Sequence, residues 1–370
     1  MTADSLAKTN KSRSLPGPRA RRMIVGWLVL VALLVFAMIV LGGVTRLTNS
    51  GLSMTDWKPV TGWLPPLDHA AWVAEFERYK AYPEYQKINH GMTLTEFQEI
   101  YAFEFAHRLL GRVIGVAFFV PFVLFLVAGK IRGPLVPRLA LLFVLGGLQG
   151  GMGWFMVQSG LVDNPDVSHY RLTAHLALAS LIYAVILWTI FDLLRGPARA
   201  GVAGPVPLLH GSIILLVLIA LQILIGGFVA GLDAGFVYND WPTMGGHFFP
   251  EDMLYLKPWY LNFLENPAAV QFCHRMLGYL VAVAAVLLFL GGRSVPLSAA
   301  ARRGLALLFT LVVAQVLLGI LTLIHVVPVP LAAAHQAGGM LVLAAALFLV
   351  HDRRRSAGTR KPASANADRQ

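Results

Sequence analysis

"VLGGVTRLTNSGLSMTDW" (residues 40–57) aligns without a gap on "LIGGFVAGLDAGFVYNDW" (residues 224–241). The Gly-Gly pair, a glycine eight residues on and the Asp-Trp pair all coincide. Further along, "EFAHRLLG" (104–111) returns as "QFCHRMLG" (271–278). Gln149-x-x-x-Gly153 returns as Gln315-x-x-x-Gly319, and "RLTAHLALA" (171–179) matches "PLAAAHQAG" (330–338) around one histidine. The order is the same in both halves, which predicts a duplicated unit.

Composition says what that unit is. Of 370 residues 57% are hydrophobic and 13% charged, with a mean hydropathy of +0.66, which excludes an ordinary soluble domain. Apolar stretches near 23–45, 109–129, 139–161, 172–191, 206–230, 276–292, 304–325 and 331–350 approach or exceed the roughly 20 residues that cross a bilayer. The first is too long for a cleaved signal peptide, and no small-residue cleavage site follows it. Four spans return the chain to its starting side, so the two copies share one orientation about a pseudo-two-fold axis normal to the membrane. The expected fold is an all-α membrane protein, with eight transmembrane helices in two tandem four-helix bundles. Its parts are a basic N-terminus (1–22), a first half (23–194) with a long outer loop (46–103), a linker (195–205), a second half (206–350) and a basic tail (351–370).

The net charge of +11 maps onto this topology. Most Lys and Arg residues lie in the N-terminus, the tail and the loops 130–138, 195–199 and 293–303, which are alternate connections. Most acids lie in the others. The positive-inside rule then puts both termini in the cytoplasm and the chain in the cytoplasmic (inner) membrane, with no nucleic-acid surface. Cys273 is the sole cysteine, which excludes an intramolecular disulfide and Cys-based zinc or iron–sulfur sites. In the outer loop, Trp72, Val73, Phe76 and Tyr79 form a helical apolar stripe expected to lie on the membrane surface. Thr93-x-x-Glu96 reads as a capping box, from which a helix runs unbroken into the second span.

Of 11 histidines, His107, His175, His274 and His335 hold matched positions near the outer ends of the even-numbered spans. Ionisable groups at such depth face the bundle interior and are functional candidates. Four separate interhelical hydrogen bonds would not explain the matched positions. A di-iron carboxylate site is excluded: Glu104-x-x-His107 has its spacing, but the second copy carries Gln271. Zinc lacks a third good ligand. Two histidines on facing helices suit haem with an imidazole on each axial side, and four make two sites. Repeat symmetry leaves the pairing open. His107 with His175, and His274 with His335, is preferred, because an ancestral four-helix unit would close its own site. Arg108 and Arg275 adjoin these ligands where haem propionates would emerge.

At these residues the chain resembles the haem A synthase family, in its mitochondrial and alphaproteobacterial branch. The likeness spans about 24–350 and rests on "TRLTNSGLSMTDWKPVTGWLPP", "EFAHRLLGR", "QFCHRMLG", "HQAGG" and the duplication. It implies oxidation of the C8 methyl of haem O to a formyl group. It also implies a cofactor haem B on His274 and His335, with the substrate haem near His107 and His175. Another branch carries an outer-loop cysteine pair that this chain lacks. Expected partners are haem O, an electron donor that no motif identifies, the haem O synthase and a second copy of the chain. Glu104 against Gln271 is the difference between the repeats. A carboxylate can move protons or stabilise positive charge on a substrate carbon where a carboxamide cannot, so catalysis is expected at Glu104. Two other classes share some of these features. A bis-histidine dihaem cytochrome working with quinone would have two permanent haems. A transporter would have interrupted helices near the midplane.

Overall fold

The long helices start at signals written in the sequence. In the computed structural model, which describes residues 16–58, 60–162, 165–195 and 206–357, helix α1 (Pro18–Leu47) begins on a proline, whose missing N–H costs nothing in a first turn. Then come α2 (His69–Lys80), α3 (Pro83–Lys87), α4 (Leu94–Val127), α5 (Leu135–Gln158) and α6 (His169–Arg195). They are followed by α7 (Val206–Gly231), α8 (Pro267–Arg293), α9 (Ala299–Ile324) and α10 (Val329–Ala357), with a single helical turn at Asn262–Glu265 leading into α8. Thr93 and Glu96 form the expected capping box at the head of α4. Asn266 caps α8 and Ser298 caps α9, each accepting a backbone N–H. Among the described residues eight helices are long and apolar enough to cross a membrane, and they fall on the eight stretches read from the sequence. The chain is an all-α, multi-pass membrane protein.

The packing follows the repeat. In the first half α1 packs on α4 and α6, and α5 packs on the same two; in the second, α7 and α9 pack on α8 and α10 in the same way. Across the halves α1 meets α10, α7 meets α6, and α6 meets α10. Ile24, Leu28, Val31, Val35 and Ile39 line the buried stripe of α1 at helical spacing; Ile182, Ile186, Ile190 and Leu193 do so on α6, and Met340, Leu343, Leu347 and Val350 on α10. Leu33, Leu124 and Leu287 stay exposed, as side chains facing lipid do.

Small residues let the halves close on each other. A Cβ on Gly43 would fall 1.7 Å from Gln336 of α10, whose Nε2 donates to the Ile39 carbonyl at 2.9 Å. Its repeat partner Gly227 faces Thr173 of α6, and a Cβ on Gly231 would lie 2.7 Å from the His169 Cα. At the opposite end, α10 runs through Ala357, past the expected start of the tail, and buries His351, Asp352 and Arg353. His351 Nε2 donates to Asp192 at 2.9 Å, Arg138 reaches the other Asp192 oxygen at 2.6 Å, and Arg195 pairs with Asp352. The expected N-terminus up to residue 15, the linker beyond Arg195 and the tail beyond Ala357 lie outside the described residues.

Of the stripe on α2, Phe76 and Tyr79 are covered by protein and Trp72 partly so, while Val73 stays exposed. At about 1.5 Å per residue, α4 is some 50 Å long, well beyond a hydrocarbon core of about 30 Å. Its first turns therefore stand clear and offer an apolar face of their own. Phe76 stacks on Phe97 at 5.0 Å, and Tyr79 is fully buried against the same ring. Tyr79 donates to Glu84 at 2.9 Å and accepts from Asn89 at 2.7 Å.

Two predictions follow from this packing. Burial pushes the Glu84 carboxyl up to about 7, against the opposing effect of the Tyr79 hydrogen bond. The fold thus favours protonated Glu84. Its contribution is complete below the ordinary value of 4.5 and is lost as pH rises through about 7, with a ceiling of roughly 3 kcal/mol. Amide exchange across 69–105, corrected for intrinsic rate, should speed up between pH 5 and 7.5, and Glu84→Gln should flatten that change. Separately, Gly231→Ala meets backbone, which cannot swing aside, and should destabilise the protein by about 1–3 kcal/mol. Gly26→Ala, which meets nothing, should leave the melting temperature in detergent unchanged or higher.

Candidate functional site

Each of the four matched histidines lies against a glycine on a neighbouring helix. A Cβ on Gly42 of α1 would stand 3.0 Å from the His107 ring, and one on Gly153 of α5 3.1 Å from His175. In the second half the distances are 3.3 Å from Gly226 of α7 to His274, and 2.9 Å from Gly319 of α9 to His335. In all four the nearest ring atom is Cε1. The Gly-Gly pairs now have a physical reading. The first glycine admits the histidine of its own half, and the second admits the last helix of the other half.

One turn before three of these glycines stands a glutamine. Gln149 Nε2 donates to the His175 backbone carbonyl at 3.1 Å and lies 3.2 Å from both ring nitrogens. Gln222 does the same at His274, with distances of 3.0 and 3.2 Å. Gln315 donates to the His335 carbonyl at 2.7 Å. The fourth position, one turn before Gly42, is Met38. The sequence reading matched Gln149 with Gln315 but missed Gln222 and Met38, although they share the four-residue spacing.

His274 and His335 come together, with ring centroids 6.4 Å apart and planes at 74°. Two imidazoles sharing one metal ion through bonds of about 2 Å have centroids roughly 6 Å apart. In the first half α1 and α5 wedge His107 of α4 and His175 of α6 into the same arrangement of helices. The Nδ1 atoms of His107 and His335 are buried without a partner. Among the described residues no cluster of three or more His, Cys, Asp or Glu could hold a metal ion. The donor set therefore fits a group that brings its own equatorial ligands and takes one imidazole on each face, as haem does.

Beside the histidines, the arginines clamp loops. Arg108 donates to the Met54 and Asp56 carbonyls, both at 2.8 Å, and to Glu104 at 2.6 Å. Arg275 donates to Tyr238 and Asp240, both at 3.0 Å, and to Thr243 at 2.9 Å. Tyr238 and Asp240 are the repeat counterparts of Met54 and Asp56, so one clamp occurs twice. The Arg275 Nε stays buried and unpaired. Arg112, which the sequence reading passed over, extends the first clamp by donating to the Lys58 carbonyl at 2.7 Å. Tyr279 holds its place in the second half and accepts from Trp241 at 2.8 Å.

Glu104 and Gln271 differ in what they do to these loops. The buried Glu104 carboxylate accepts from Ser53 Oγ and the Met54 N–H, both at 2.7 Å, as well as from Arg108. Gln271 instead donates, to the Tyr238 carbonyl at 2.9 Å, and its own oxygen is unpaired. The Glu104–Arg108 ion pair is thus buried and part of a network, a different case from an exposed i,i+4 pair of about 0.3–0.5 kcal/mol.

A family model described as COX15-CtaA, cytochrome oxidase assembly protein, matches residues 25–347. A protein named heme A synthase from Nitrosospira multiformis is 51% identical over 333 residues, covering 89% of this chain and 93% of that protein. Another of that name, from Parvibaculum lavamentivorans, is 49% identical over 328 residues, covering 89% and 93%. A third, from Paracoccus denitrificans, is 46% identical over 339 residues, covering 90% and 89%.

Proposed function

The chain belongs to the haem A synthase family, and from that premise we propose a division of labour between its two halves. The protein is a membrane oxidoreductase that converts haem O to haem A. Its relatives carry that name, which leaves the reading as a quinone-linked dihaem cytochrome without support. The halves are tandem four-helix bundles related by an axis normal to the membrane, a reading supported by their matched helix pairings. His274 and His335 hold a resident haem B, and His107 and His175 receive the substrate haem. The 6.4 Å approach of His274 to His335 is the observation that carries this reading. The loops over both sites face away from the cytoplasm, and both termini lie on the cytoplasmic side of the inner membrane. An outside electron donor, delivery of haem O by its synthase and self-association in the membrane complete the proposal.

When bound, haem B supplies redox chemistry that no side chain here can supply. The protein's own task is to bind, orient and exclude water. Arg108 and Arg275 hold the loops over the sites and place positive charge at the rim where propionates emerge. The free Nε of Arg275 is a donor for such a carboxylate. Glu104 is the catalytic candidate: a buried carboxylate one turn from His107, held in place by three donors. It stabilises positive charge that develops on the substrate methyl carbon, or takes up a proton there.

A carboxamide stands at the matching position of the second half, where Gln271 binds its loop by donating to a carbonyl. Glu104→Gln should therefore fold, insert and keep the reduced haem B spectrum, while haem A production falls at least a hundredfold or stops at a hydroxylated intermediate. Pigment extraction from membranes that also make haem O measures this. Near-normal haem A output from the variant would remove Glu104 from the chemistry. His274→Ala or His335→Ala should diminish the haem B spectrum, and an unchanged spectrum in both would refute the assignment of that half.

A further inference from the structure

Three of the four candidate iron ligands are held by a glutamine, and one is not. Gln149 and Gln222 each place Nε2 at 3.2 Å from both ring nitrogens of their histidine. An atom equidistant from both nitrogens lies over the ring and not at one lone pair, so it resists rotation of the ring. The same amide also grips the histidine backbone, at 3.1 Å for His175 and 3.0 Å for His274. Gln315 grips the His335 backbone at 2.7 Å. Met38 occupies the fourth position in space as well as in sequence. Its Cε would lie 3.6 Å from a Cβ on Gly111, one turn past His107, and Gln222 Nε2 would lie 3.4 Å from a Cβ on Gly278, one turn past His274. A thioether has no hydrogen to donate and is flexible along its length.

We propose that Met38 makes His107 the exchangeable ligand of the four, and that Gln149, Gln222 and Gln315 are positioning residues that fix the other three. The proposal rests on the assignment of substrate haem to the first half and resident haem to the second. A resident cofactor gains from two fixed imidazoles. A substrate has to enter, and its product has to leave, so one of its two iron–nitrogen bonds must open readily each time. His107 shares α4 with Arg108 and Glu104, so the loosely held ligand stands in the same turns as the loop clamp. His175, held by Gln149, keeps the haem oriented while His107 lets go.

The experiment is haem transfer from the purified full-length protein to excess apomyoglobin, followed in the Soret band. Wild type should release haem in a fast phase from the first half and a slow phase from the second. His107→Ala and His175→Ala should remove the fast phase only. If neither does, the assignment of sites fails, and the proposal with it, in a way recognisable before any positioning variant is made. With the sites assigned, Met38→Gln should slow the fast phase by about 2- to 10-fold, the worth of one net hydrogen bond. Met38→Leu, equally unable to donate, should leave it unchanged. Gln222→Met and Gln315→Met should speed the slow phase by a similar factor. A fast phase unmoved by Met38→Gln would overturn the proposal. A fast phase altered by Met38→Leu would also overturn it, because the sulfur itself would then matter. If Met38→Gln does not fold, Gln222→Met decides: a faster slow phase supports the proposal, and an unchanged one overturns it.

Discussion

An imidazole can be wedged between two packed helices only where the facing helix has no Cβ. That constraint orders most of this molecule. Gly42, Gly153, Gly226 and Gly319 each leave about 3 Å between a would-be Cβ and a histidine ring, less than a methyl group accepts without displacement. The odd-numbered span of each pair thus supplies the gap, and the even-numbered span supplies the ring. The second glycine of each Gly-Gly pair makes the corresponding gap for the other half, through Gln336 at Gly43 and Thr173 at Gly227. Ligand placement and the meeting of the halves are therefore fixed by adjacent residues of one helix turn.

The loops impose a second constraint. Backbone carbonyls near the membrane need donors, because lipid offers none. Arg108 and Arg275 meet this need with guanidinium groups that serve two and three carbonyls at once, and Arg112 serves one more. A lysine ammonium, one compact charge on a flexible stem, could not bridge the same carbonyls with a fixed fork. On this shared scaffold the two halves differ by a reversal of one hydrogen bond. Glu104 accepts from the backbone of residue 54, whereas Gln271 donates to the backbone of its counterpart, residue 238. The reversal lets one half carry a carboxylate beside its histidine while the arginine one turn on still holds the same two loop positions.

Much of this was legible in the sequence. The eight spans are long apolar runs, and the four histidines are marked by the repeat alone. The start of α4 at Thr93 is a local signal and was read correctly, as was the helix that follows it. What escaped were features that depend on which surfaces meet. The stripe of α2 has the pattern of a membrane-surface helix, and only the projecting turns of α4 show that Phe76 and Tyr79 are buried in protein. Arg108 and Arg275 were read as carboxylate binders from their position beside histidine. Their bonds to Met54, Asp56, Tyr238, Asp240 and Thr243 depend on loop paths that no spacing reveals. The four-residue step from Met38 to Gly42 was visible, but it has meaning only once Gly42 is known to face His107.

The repeat also bears on three differences between the halves that fall in α1 and α4. Gene duplication gives two equal sites, and each later difference must be compatible with packing that both halves share. A side chain at Gly42 or Gly226 would have to displace the imidazole it faces. Residues one turn away from those contacts can vary, since the space they fill suits more than one side chain. Met38 against Gln222, Glu104 against Gln271 and Arg112 against Tyr279 are all of this kind. Each keeps the helix path and alters what is offered to the ring or the loop: a donor removed, an acceptor exchanged for a donor, a charge added. All three lie within the helix pair that meets at His107, so the half assigned to the substrate departs from its copy at the places where the fold permits departure.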